Sequence, residues 1–224
     1  MQNNIHAVIF DFDNVLVLRL DGTGSEEVKD NAWPQVFGAK WETLKPVFSE
    51  IVQRFSGGRG SRFDIAQSAL KHLGVPEQEI IPEAERMCRH FNKIVQAGIV
   101  EIGVSPEVRG VLEKIAGRLP LFINSATPTA AMHETLEKLG IAHFFREVYG
   151  QEGGKTESIR RAMTAIGTVH PEHVLFVGDS PTDYEAAQTV GCQFIGVATG
   201  RNGWGMGRQS FPVISGVHEL EQFI

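Results

Sequence analysis

Asp11 and Asp13 stand one residue apart at the end of the apolar run Ala7-Val8-Ile9-Phe10. Such a run fits a central strand of a parallel sheet. Residues i and i+2 of a strand share a side, so the two carboxylates leave the strand end together. Carboxylates held that close repel each other unless a cation or a shared proton relieves them. The pair therefore asks for a hard metal ion, a nucleophilic carboxylate, or both. Chemistry-bearing residues return at three later places. Ser125 follows the strand-like Leu119-Pro-Leu-Phe-Ile-Asn124, Lys155 stands in the loop after Phe144–Tyr149, and Asp179 and Asp183 follow His173–Gly178. Positions just past strand ends converge on one rim of an open α/β sheet. One use makes sense of the set. A Mg²⁺ held by Asp11 and Asp179 would bind a phosphate oxygen, and Lys155 and the Ser125 hydroxyl would hold the others. Backbone N–H groups at the next helix start would assist. One carboxylate would then attack phosphorus while the other moves protons.

The elements that must position these residues fall into two kinds. From about residue 101 strands and helices alternate: a helix opened by Ser105-Pro106-Glu107, then the strand before Ser125, a helix from Thr129 to Leu139, a strand over Phe144–Tyr149, a helix over Thr156–Ile166, the strand before Asp179, a helix from Asp183 to Val190, and a strand at Gln193–Val197. Alternation of this kind means a parallel sheet with right-handed crossovers, a Rossmann-like α/β core with helices on both faces. A short edge strand over Phe211–Val217 and a terminal helix over His218–Ile224 complete the expectation. Residues 18–100 read differently. Helices are expected over Glu26–Phe37, capped by Ser25, and over Trp41–Phe55, Arg62–Leu73 and Pro82–Ala97, with no convincing strand. That is too long for a simple crossover. The division expected is an α/β core domain over 1–17 and 101–224, with an inserted all-helical domain over 18–100.

The set Asp11-Phe-Asp13, Ser125, Lys155 and Gly178-Asp179-Ser-Pro-Thr-Asp183, in this order and each after a strand, closely resembles the four motifs of the haloacid dehalogenase superfamily. The inserted helices resemble its C1-type cap, as in the phosphoglycolate phosphatase and beta-phosphoglucomutase subgroup. The resemblance implies roles. Asp11 would be the nucleophile, forming an aspartyl-phosphate. Asp13 would be general acid for the leaving group and then general base for water. Mg²⁺ would be bound by Asp11, the Asp13 backbone carbonyl and Asp179, with Asp183 outside them as partner of a bound water or of Lys155. Asn14 departs from the glycine more usual after the second aspartate, a mild variation because Asn tolerates unusual backbone angles. Taken singly, Ser125 and Asp183 would read as helix caps and Lys155 as a surface cation; the series lifts them.

In the insertion, Gly57-Gly58-Arg59-Gly60-Ser61-Arg62 is a glycine-rich loop with two guanidinium groups, suited to closing over an anion. It resembles the substrate loop of C1-capped sugar-phosphate enzymes, with Arg62 at the substrate-contacting position and Arg59 and Lys29 as further candidates. Asp13 separates the chain from dehalogenases, which lack that residue. Gly178 and Asp183 separate it from phosphosugar mutases, which carry Glu before the metal-binding Asp and lack the later acid. The expected function is a Mg²⁺-dependent phosphatase for a small phosphorylated metabolite, of the phosphoglycolate or sugar-phosphate type. A phosphosugar mutase, or a catalytically silent binding protein on the same fold, is the alternative.

Composition narrows the field further. At 224 residues with a net charge of -6 and no basic run, the chain is no evident nucleic-acid binder. Cys88 and Cys192 lack metal-ligand spacing and read as reduced, structural thiols. With no basic leader and no apolar stretch of about 20 residues, a cytoplasmic protein without membrane contact is expected. A dinucleotide site at Gly203, Gly205 and Gly207 is not expected, since no suitable helix follows.

Overall fold

A computed structural model of the chain describes residues 4–19, 22–55 and 60–224. Among these residues six strands form one parallel sheet: β1 (Ala7–Phe10), β2 (Leu121–Asn124), β3 (Phe145–Tyr149), β4 (Val174–Gly178), β5 (Gln193–Val197) and β6 (Val213–Ile214). They lie in the order β3-β2-β1-β4-β5-β6. The order reverses at β1, which pairs with β2 on one side (Ile9 opposite Phe122) and with β4 on the other (Ile9 opposite Phe176). Every residue of β1, β2 and β4 is buried, as a sheet covered on both faces requires.

Eight α-helices occur among the described residues: α1 (Ser25–Phe37), α2 (Trp41–Phe55), α3 (Arg62–His72), α4 (Glu77–Ile102), α5 (Pro106–Ala116), α6 (Thr129–Lys138), α7 (Gly154–Ile166) and α8 (Pro181–Val190). The chain divides into two compact units, Met1–Ser25 with Ile99–Ile224, and Glu26–Gly98. Residues 18–25 stay with the first unit, where a backbone bridge joins Leu18 to Gly24.

In the sheet unit, Ile9, Phe122, Phe176, Ile159, Ala162 and Ala187 form the centre of a buried core. In the helical unit the core includes an aromatic cluster. The Trp33 ring lies 5.7 Å from Phe37, 5.5 Å from Phe48 and 4.4 Å from Phe91, within the range in which aromatic pairs attract.

Three expectations about elements need correction. The helix predicted from Pro82 begins at Glu77 and carries Pro82 inside it. The proline removes one early hydrogen bond, but Ile80, Ala84, Met87, Phe91, Val95 and Ile99 form one buried stripe that holds the helix through it. The edge strand shrinks to Val213–Ile214, and the terminal helix is a 3₁₀ segment, Val217–Phe223. No described helix is long and apolar enough to cross a membrane.

Candidate active site

Asp11 is the first residue beyond β1. Its N–H still donates to the Val177 carbonyl at 2.8 Å, so the backbone is fixed to β4 while the side chain passes the end of the sheet. The chain then turns through Asn14, which adopts φ 53°. That is the left-handed conformation expected at this position, and Asn is among the residues that tolerate it. Asp13 lies half-buried in the same turn.

Lys155 is in the first turn of α7 rather than in the preceding loop. Gly153 and Gly154, at φ 100° and 74°, let the chain reverse and start the helix earlier than expected. The Asn124 amide at the end of β2 donates to the Lys155 carbonyl at 3.0 Å and so fixes this turn. The ammonium donates to Asp11 Oδ1 at 2.9 Å and to Asp183 Oδ1.

Asp183 is fully buried in the first turn of α8. It caps nothing alone: Ser180 is the N-cap, and the two form a reciprocal capping box. Asp183 Oδ2 accepts from the Ser180 N–H at 3.0 Å and from the Ser180 hydroxyl at 2.6 Å, while Oδ1 takes Lys155. Gly178 makes this possible, because a Cβ there would lie 2.6 Å from Asp183 Cβ and Cγ. Asp179, between them in sequence, accepts at Oδ2 from the Asn14 amide at 3.2 Å.

Ser125 is buried at the end of β2 but does not cap α6. Its Oγ accepts from the Thr127 N–H at 3.1 Å, which leaves the hydroxyl proton to donate. The α6 start is served by Glu152, whose carboxylate accepts from the Thr129 N–H at 3.2 Å and the Thr129 hydroxyl at 2.5 Å. Glu152, Asn124 and Asn202, whose amide donates to the Asp179 carbonyl at 2.8 Å, carry no signal in the sequence. Each acts on a partner remote in the chain, 23 positions away for Glu152 and Asn202 and 31 for Asn124.

Charge crowding dominates the site. Burial raises the Asp11 carboxyl well above its ordinary range; Lys155 opposes this, and Asp183, Asp179 and Asp13 reinforce it. Burial and then the Asp183 charge push Asp179 up to about 7, against the Asn14 hydrogen bond and Lys155. Burial disfavours the charge on Lys155 too, but Asp11 and Asp183 outweigh it and hold the ammonium protonated. Asp11, Asp179 and Asp183 each bring a carboxylate oxygen within 4.8 Å of the others. Such an all-oxygen, over-negative set fits a hard divalent cation. With Asp183 committed to Lys155 and Ser180, the two oxygens best placed to serve as ligands belong to Asp11 and Asp179.

The candidates on the inserted helices are placed within their own unit. Arg62 begins α3, donates to the Asn92 side-chain carbonyl, and lies 5.6 Å over the Phe91 ring. Lys29 pairs with Glu26 at 3.1 Å. Arg59 lies outside the described residues.

The family described as haloacid dehalogenase-like hydrolase matches residues 62–197. A phosphoglycolate phosphatase of Salmonella typhimurium is 30% identical over 139 residues, 57% of this chain and 54% of that protein. The chain thus spans about half the length of that relative. A phosphoglycolate phosphatase of Vibrio cholerae is 29% identical over 198 residues, 84% of this chain and 85% of its own. Among solved structures, a predicted phosphoglycolate phosphatase from Haemophilus somnus superposes with a TM-score of 0.67 at 20% identity, over 99% of both chains.

Proposed function

The chain belongs to the haloacid dehalogenase-like hydrolases, and we propose that it is a Mg²⁺-dependent phosphatase for a small phosphorylated metabolite of the phosphoglycolate or sugar-phosphate type. The observation that carries this reading is the Lys155 ammonium, shared between Asp11 and the buried Asp183 beside Asp179. A phosphoryl-transfer site needs an ionised nucleophile inside a low-dielectric pocket. Lys155 supplies a counter-charge that favours the ionised form of Asp11 against the burial that opposes it.

In this reading Asp11 Oδ attacks phosphorus, and the bond from phosphorus to the leaving oxygen breaks as Asp13 gives that oxygen its proton. The aspartyl-phosphate on Asp11 is then cleaved by water. Asp13, now a carboxylate, takes the water's proton, the hydroxyl oxygen bonds to phosphorus, and Asp11 is regenerated. Lys155 and the Ser125 hydroxyl hold non-bridging phosphate oxygens throughout, and the N–H groups opening α7 favour the same anion. A Mg²⁺ held by the Asp11 and Asp179 carboxylates and the Asp13 carbonyl would neutralise phosphate charge during transfer.

The helical unit is the proposed cap, with Arg62, Arg59 and Lys29 as the residues addressing the anionic substrate. Arg62 enters that role with its guanidinium already oriented by Asn92 and Phe91. The relatives named phosphoglycolate phosphatase support the substrate class. The free thiols of Cys88 and Cys192 suit a reducing, cytoplasmic location, with burial pushing the Cys192 thiol up to about 12.

The deciding measurement is phosphate release from a generic aryl phosphate with Mg²⁺, followed by a panel of phosphorylated metabolites. Asp11→Asn should abolish release, whereas Asp13→Asn should slow it by roughly 10²–10⁴-fold. Turnover that survives Asp11→Asn would overturn the mechanism. Isomerisation of a sugar phosphate without release of phosphate would instead identify a mutase.

A further inference from the structure

Asn14 is the only described residue other than glycine with positive φ. Glycine would meet that backbone demand with less strain, so the side chain has another use. It is buried, and both ends of its amide are engaged. Nδ2 donates to Asp179 Oδ2 at 3.2 Å, and Oδ1 accepts from the Ser25 hydroxyl at 3.1 Å. Ser25 is itself fully buried. The chain at Gly24 presses against the same amide, since a Cβ there would lie 2.6 Å from Asn14 Oδ1. Reversing the amide would set an oxygen against the Asp179 carboxylate, so the carboxylate fixes which way it faces.

We infer that Asn14 is a positioning residue for the cation site: anchored by Ser25, it holds the Asp179 carboxylate in ligating orientation before a divalent cation arrives. The inference rests on the reading of Asp179 as a cation ligand. The physical reason is preorganisation. A carboxylate already oriented by a neutral donor loses less freedom on ligation, and a neutral donor adds no charge to an over-negative cluster. The Asp179 backbone is fixed separately, because Asn202 Nδ2 donates at 2.8 Å to both the Asp179 and the Val197 carbonyls. Loss of the Asn14 amide should therefore release the Asp179 side chain without moving its main chain. Ser25 is where the chain leaves the sheet unit for α1, so the anchor of the clamp sits at that junction.

The test is Mg²⁺ affinity by titration calorimetry on the full chain, beside the unfolding midpoint in EDTA. Asn14→Gly should still unfold cooperatively in EDTA, since glycine accepts φ 53° freely, at a midpoint lowered by the lost Ser25 and Asp179 hydrogen bonds, and should bind Mg²⁺ about 10–100-fold more weakly. Ser25→Ala should weaken binding in the same direction by less. Wild-type affinity in a folded Asn14→Gly protein would overturn the inference. Should Asn14→Gly fail to fold, wild-type affinity in Ser25→Ala overturns it equally. Asp179→Asn separates the two claims: if it binds Mg²⁺ as tightly as wild type, the cation reading of Asp179 fails; if it does not and Asn14→Gly binds like wild type, only the role of Asn14 fails.

Discussion

Among the described residues the same capping box stands in each unit. In Ser61-Arg62-Phe63-Asp64 the Asp64 carboxylate accepts from the Ser61 N–H at 2.7 Å and the Ser61 hydroxyl at 2.7 Å. In Ser180-Pro181-Thr182-Asp183 the corresponding distances are 3.0 and 2.6 Å. The surroundings differ. The first box is exposed to water, and its hydrogen bonds from Ser61 simply lower the Asp64 carboxyl. The second is sealed at a strand end, and its spare carboxylate oxygen is given to Lys155. A motif that elsewhere only starts a helix becomes, once buried beside a cation, a fixed electrostatic support for the neighbouring carboxylates. The local pattern is thus silent about function, and the burial around it decides.

The widest separation between the two boxes should come from removing the cation. Lys155→Met leaves Asp11 and Asp183 buried without their counter-charge, so unfolding by urea in EDTA should reveal a loss of about 3–5 kcal/mol, with phosphate release gone. A smaller gap is expected between the two acids. Asp183→Asn keeps an acceptor for Ser180 but gives up one partner of Lys155, costing about 1–3 kcal/mol, whereas Asp64→Asn should stay within about 1 kcal/mol. Equal losses in those two variants would erase the contrast.

The subtlest expectation concerns pH. With Asp179 raised in the folded state to about 7 from an unfolded value of about 3.9, its neutral form is favoured by folding. Its contribution to stability is complete below about pH 4 and is lost as pH rises through about 7. Asp11 acts with the same sign. The urea midpoint in EDTA should therefore fall between about pH 4 and 7, and Asp179→Asn should flatten that slope in part. A slope unchanged in Asp179→Asn would contradict the assignment.

Much of this architecture can be read from residue order. The runs before Asp11, Ser125 and Asp179 are apolar, short and followed by polar residues, and the structure makes them β1, β2 and β4. Where residue order misleads, the cause is tertiary. Pro82 signals a helix start, but a stripe of buried side chains on both sides of it overrides that signal. Ser125 sits where a cap belongs, yet Glu152 arrives from another loop to take the work. Lys155 moves from loop to helix because two glycines adopt positive φ, which residue type permits but does not require. In the site, residue types at strand ends point to the carboxylates and the lysine. The amides of Asn124 and Asn202 stay invisible in the sequence because their partners are adjacent only after folding.

Gly178 sets an order on how this chain can change. Any side chain at 178 would collide with Asp183, its Cβ included, so position 183 must become glycine or shift before position 178 can grow. A lineage that alters 183 first passes through a form in which Lys155 has lost one of its two carboxylates. The two positions are therefore sterically coupled in one direction: growth at 178 waits on a change at 183, and a change at 183 costs Lys155 a carboxylate.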